Sequence, residues 1–116
     1  MRTFSGFLGL FGLVSKWWVA GTAPVWPDGS CPPDAGVQAR RCFEIIAEAL
    51  AEAGASLADV VRCRMFVIDS SDAGAVGAVH GQLFGAIRPA ATMVIVAGLL
   101  DSRWKVEIEA DAIIAS

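Results

Sequence analysis

The chain has 116 residues with 9 Lys and Arg against 12 Asp and Glu, a formal charge of −3, and its length suits one domain of roughly 100–150 residues. Hydrophobic residues make up 55%, and with the 12 glycines the apolar share passes the roughly 45–50% of an average soluble chain, which excludes disorder. A domain this size buries only about 65–70% of its unfolded surface, so the surplus predicts that copies of the chain cover one another, while an acidic balance with no basic run longer than two residues argues against nucleic acid as a partner.

Two uncharged stretches, Thr3–Ser15 and Trp17–Pro27, flank Lys16. Neither reaches the roughly 18–20 residues of a membrane span, and joining them buries a lysine and two prolines. Arg2 and Phe7–Val14 imitate a signal peptide, but a cut after Ala23 would leave Pro24 first, so the expectation is a cytoplasmic chain with no membrane partner. From Phe7 to Ala23 the same apolar stretches predict two strands joined by a tight turn at Ser15–Lys16. Pro24, Pro27, Pro32, Pro33 and Asp28-Gly29 make residues 24–36 a surface loop.

Asp34 is placed to cap a helix over 35–53, whose buried face carries Val37, Phe43, Ile46, Ala47, Leu50 and Ala53 at helical spacing. Arg40, Arg41, Glu44, Glu48 and Glu52 form its solvated face, and Gly54 suits the left-handed end. Ser56 and Asp59 read as a capping box with Asp in place of Glu. Val60–Asp69 alternates as a strand, with Val61, Cys63, Met65 and Val67 on one face and Arg62, Arg64, Phe66 and Ile68 on the other. Ser70, Ser71 and Asp72 cap a second helix over about 73–86, with Val76, Val79, His80, Leu83 and Phe84 as its apolar stripe. Two strands close the chain, about 90–98 and 104–114, and the last sets Lys105, Glu107, Glu109 and Asp111 against Trp104, Val106, Ile108, Ala110 and Ala112.

The order β-β-α-β-α-β-β predicts an α+β domain over 1–116, with one sheet carrying both helices on one face. Cys31, Cys42 and Cys63 are odd in number and far apart, so they read as packed thiols; with a single histidine, His80, no metal site is expected. His80 itself reads as a packing residue of an amphipathic helix, and Trp17, Trp18, Trp26 and Trp104 as core and contact aromatics.

Four segments carry a resemblance. They are Val19-Ala20-Gly21-Thr22-Ala23-Pro24, Ala51 through Val61, Phe84 through Thr92 (with Arg88-Pro89-Ala90-Ala91-Thr92), and Val106-Glu107-Ile108-Glu109-Ala110. In this order and spacing the chain resembles the Rid/YjgF superfamily of reactive intermediate deaminases, also labelled L-PSP endoribonuclease-like. The resemblance implies a chorismate-mutase-like homotrimer with small-molecule pockets at the subunit interfaces and no cofactor. It implies that Glu107 orients a hydrolytic water, with Gly21, Thr22, Gly77, Ala91, Thr92 and Met93 as ligand-binding positions, and Arg88 joins them if the chain bends at Pro89 to bring it to a ligand.

The deaminating members carry an arginine that grips the substrate carboxylate where this chain has Ala91, and they carry a pocket tyrosine where this chain has no tyrosine at all. The common asparagine of the second helix corresponds to Gly77. These departures argue against deamination of 2-imino acids and leave two expectations: hydrolysis of an imine or enamine that lacks the carboxylate, or binding of a small metabolite without chemistry. Endoribonuclease activity is the weakest expectation, because the charge is acidic. Glu107 either orients water or pairs with Arg62 or Arg64 across the sheet.

Overall fold

The computed structural model describes residues 3–8 and 14–115, and side chains over 16–114. The elements are β1 (Thr3–Leu8), β2 (Val14–Thr22), α1 (Ala35–Glu52), β3 (Val60–Val67), α2 (Ala73–Phe84), β4 (Ala90–Ile95) and β5 (Val106–Ala115). They follow the predicted order. The five strands form one mixed sheet in the order β1-β2-β5-β3-β4, parallel between β3 and β4 and antiparallel elsewhere.

Strand alternation builds the core. Cys63, Met65 and Val67 of β3 pair in register with Ala110, Ile108 and Val106 of β5, and all six are buried. Cys42, Phe43, Ile46 and Leu50 of α1, together with Val76, Val79 and Phe84 of α2, pack on that same face. The helices therefore take one side of the sheet, and Arg62, Arg64, Phe66, Glu107, Glu109 and Asp111 alternate onto the other. No described helix is long and apolar enough to cross a membrane.

The tight turn expected at Ser15–Lys16 is absent, because both residues lie within β2. Ser15 pairs with Leu8 and Ile114, and Lys16 pairs with Ile113. A polar residue inside an apolar run needs no turn if alternation turns it to water, and Lys16 is exposed. The connection falls instead at 9–13, outside the described residues.

The second helix also stops short of the predicted 86. Beyond Phe84 the chain closes on Phe84 O, which accepts from the N–H of Arg88 at 2.8 Å, and Arg88 takes φ 57° immediately before Pro89. Proline disfavours the right-handed helical conformation in the residue before it, so the turns that follow Phe84 run out at Arg88 and the helix cannot continue into β4. The capping box at Ser56 and Asp59 is present and closes a 3-10 turn over Leu57–Asp59. Asp34 caps α1 through Val37 N–H at 2.9 Å. The expected cap at Ser70–Asp72 is different: Asp69 accepts from Ser71 N–H, and Asp72 makes no side-chain cap.

One buried residue that the sequence did not single out ties the loops down. Gln38 is fully buried in α1. Its Nε2 donates to Pro32 O at 2.8 Å and Arg103 O at 3.0 Å, and its Oε1 accepts from Lys105 N–H at 2.7 Å. A single side chain thereby holds the proline-rich loop and the β4–β5 connection against one helix.

Candidate functional site

Glu107 lies between Val106 and Ile108, both fully buried, so its side chain leaves the sheet on the face away from the helices. Neither pairing considered for it is formed. Arg64 donates to Glu109 and to Asp111, each at 3.2 Å, and Arg62 donates to Thr92 Oγ1 at 3.2 Å. Among the described residues Glu107 has no ion pair and no hydrogen bond. Both arginines turn to other neighbours: Arg64 takes Glu109 opposite it and Asp111 two positions further along β5, and Arg62, opposite Asp111, reaches diagonally to Thr92, two positions beyond its own β4 partner Ala90.

The strand beside Glu107 is irregular. β2 and β5 pair from Val14 to Val19 and again at Thr22, with a register shift between, so Ala20 and Gly21 form a bulge of the kind that re-aims a side chain. Gly21 stands over Glu107 so closely that a Cβ on it would overlap Glu107 Oε2 and come within 3.3 Å of Cδ. Thr22 points the other way, is fully buried and donates to Ala20 O at 2.9 Å. Gly21 and Glu107 are thus together, whereas Thr22 serves the core.

The remaining predicted positions gather around β4. Ala91 and Met93 pair with Cys63 and Met65 and so share the helix side, where Met93 Cε would lie 3.9 Å from a Cβ on Gly77. Thr92 faces the opposite side with Arg62. Arg88 stands outside the strand, exposed, and its guanidinium makes no hydrogen bond or ion pair among the described residues. Within one chain, then, Gly21, Glu107 and Thr92 are on one face of the sheet, and Gly77, Ala91 and Met93 are on the other.

Beside the bulge the bare face holds a depression of about 410 Å³ lined by Trp18, Gly21, Arg64, Glu109 and Asp111 among others. The period-2 carboxylates of β5 and the Arg62/Arg64 pair signalled the charge of this surface; the bulge that opens it has no sequence signal beyond Gly21. Burial pushes the Cys63 thiol up to about 12, with Asp111 adding to the shift, and burial raises Cys42 as well, so neither is a thiolate nucleophile. His80 is lowered by burial and packs against Phe43 and Phe84. Among the described residues no cluster of His, Cys, Asp and Glu is arranged to hold a metal ion.

Comparison with known proteins agrees with this architecture. The solved structure of Rv2704 of Mycobacterium tuberculosis, a member of the YjgF/YER057c/UK114 family, superposes with a TM-score of 0.78 at 44% identity, covering 85% of this chain and 79% of that one. The crystal structure of TdcF of Escherichia coli with bound serine superposes with a TM-score of 0.81 at 29% identity, covering 96% and 93%. In sequence TdcF, provisionally named a reactive intermediate deaminase, is 33% identical over 105 residues, 87% of this chain and 81% of its own length. An uncharacterised Streptomyces coelicolor protein, SCO2049, is 39% identical over 75 residues, and the match spans 56% of its length. The L-PSP endoribonuclease family profile matches residues 15–114, and the chain belongs to that family, which is also the Rid/YjgF family of these relatives.

Proposed function

We propose that the chain assembles as a homotrimer whose subunit-interface pockets hydrolyse a small imine or enamine lacking a carboxylate, with Glu107 orienting the water. The observation that carries this reading is the half-buried Glu107 carboxylate, left without a partner while both neighbouring arginines are engaged elsewhere. A carboxylate that neither arginine occupies is free to accept a hydrogen bond from a water or a ligand. The two-faced placement of the other positions supports assembly: Glu107 and Ala91 lie on opposite faces of one sheet, so a pocket that uses both takes them from two copies.

In the reaction, Glu107 accepts a proton from water as its oxygen bonds to the imine carbon and the C=N pair moves to nitrogen. Glu107 then returns its proton to the nitrogen, which leaves as ammonia as the C–N bond breaks, and the hydroxyl oxygen forms the carbonyl by giving up its proton, which balances the second one that nitrogen takes up. Ala91 offers no guanidinium to a carboxylate, so uncharged imines are the preferred substrates.

The test generates imines in situ, from a primary amine with an amine oxidase and from an amino acid with an amino acid oxidase, and follows ammonia release. The carboxylate-free imine is expected to turn over faster than 2-iminobutyrate, and Glu107→Gln to lose the activity. Equal rates with and without the protein would overturn hydrolysis, and a metabolite retained in native mass spectrometry would then identify a binding protein of the same fold. Ala91→Arg restores a bidentate clamp, and a charged hydrogen bond of about 1.5–3 kcal/mol corresponds to a rise of roughly 10- to 100-fold in kcat/KM for 2-iminobutyrate.

A further inference from the structure

We propose that Gly21 is a positioning residue: the bare backbone at the β2 bulge is the seat of the Glu107 carboxylate, so the residue at position 21 sets where the water-orienting oxygen lies. The inference rests on the catalytic reading of Glu107 for its kinetic consequence, but the seat itself stands on geometry.

Three observations support the seat. Gly21 falls inside the register shift between Val19 and Thr22, where the chain departs from the regular ladder. Its missing Cβ would overlap Glu107 Oε2, with Cδ at 3.3 Å and Cγ at 3.8 Å, so the whole end of the side chain rests on the glycine. All three of these nearest atoms belong to Glu107, so the space above Gly21 is filled by that side chain and by nothing else as close. Glycine in a strand interior weakens the strand and marks a bulge or a close approach, and here both are found at the same residue.

A methyl group at 21 meets only the far end of a flexible side chain. Glu107 can swing aside at little cost to the fold, while losing the position from which it addresses a water. The conflict therefore falls on alignment, which general-base chemistry needs, and spares the core, which lies on the other face of the sheet.

The test is Gly21→Ala in the intact chain, read in two ways. The first follows the Glu107 side-chain carboxyl by carbon-13 NMR with labelled glutamate, assigned with Glu107→Gln. Gly21→Ala is expected to shift this one resonance and to leave the thermal midpoint near that of the wild type. An unchanged Glu107 resonance in a folded variant would overturn the seat, whether or not any imine is hydrolysed. If the variant failed to fold, Gly21→Ala in a Glu107→Ala background, where the carboxylate that the new Cβ meets is gone, is expected to fold; a double variant that still failed to fold would overturn the seat.

The second reading is kinetic. Gly21→Ala is expected to lower kcat/KM by about the factor that Glu107→Gln does, on the order of 10²- to 10⁴-fold for a lost general base, and to add nothing in the Glu107→Gln background. Equal losses in both backgrounds would show that Gly21 acts through something other than Glu107, and would overturn the proposal. A wild type without imine hydrolysis, but with the carboxyl shift present, would instead count against the catalytic reading alone.

Discussion

His80 shows how one residue can carry a pH dependence without belonging to a site. Its ring packs in a three-ring cluster with Phe43 and Phe84, whose centroids are 6.1 Å and 4.8 Å from it and 5.4 Å from each other, and its Nε2 is buried without a hydrogen-bond partner. Burial lowers its pKa from 6.5, so below that value the unfolded chain binds the proton more readily than the folded one. Stability is expected to be unaffected by this group above pH 6.5 and to fall as the pH drops through and below it. Urea midpoints between pH 8 and 5 measure the slope, and His80→Leu should flatten it; a variant with the wild-type slope would clear His80 of the effect. The sequence already placed His80 in an apolar stripe, because helical spacing shows which face a residue joins. What it could not show is which partners a charged strand residue takes. Glu107 had arginines two and four positions along the facing strand, and only the register of β3 on β5 decides that Arg64 goes to Glu109 and Asp111.

At the scale of elements, the regular parts were legible because their periods are local. The 18 residues of α1, the alternation of β3 from Arg62 onward and the closing strand follow from apolar spacing, but Val37 and Val61, both expected on buried faces, are exposed, Val61 because an irregularity between Val60 and Arg62 turns Val60 inward instead. The hairpin was misplaced because a turn and an outward-facing polar residue look alike over two positions. The loops were beyond reach for another reason: Gln38 joins Pro32, Arg103 and Lys105, and no local pattern links residues separated by 65 and 67 positions. Gln38→Leu keeps the volume and removes its three hydrogen bonds to backbone and a fourth to Cys31 Sγ, leaving part-buried backbone groups unpaired. It is expected to cost about 2–4 kcal/mol, measured by urea unfolding; a loss under about 0.5 kcal/mol, typical of an exposed position, would show that water replaces the side chain.

On the scale of the whole molecule, the fold leaves one sheet face without helices and concentrates charge there. Arg64 between Glu109 and Asp111 offsets part of that charge, while Glu107 on the same face stays unpaired within the chain, so a second copy that covers it must leave it open to a pocket or bring it a polar partner. Sedimentation is expected to give a species of three times the 12.1 kDa chain, and Arg64→Met, which leaves Glu109 and Asp111 facing each other unneutralised, should shift it toward smaller species. A monomer for the wild-type chain would remove the interface pocket and the function proposed with it.

The sheet order has one more consequence, which concerns synthesis. β5 is the middle strand, joined to β2 on one side and to β3 on the other, yet it follows every other element in the chain. While the ribosome is still making residues before Val106, the β1–β2 hairpin and the parallel β3–β4 pair have no strand between them. The nascent chain carries two half-sheets with open edges, and the final segment joins them in a single closing step. A stalled or truncated product lacking β5 is therefore expected to behave as two unjoined pieces, prone to borrow the missing strand from another chain.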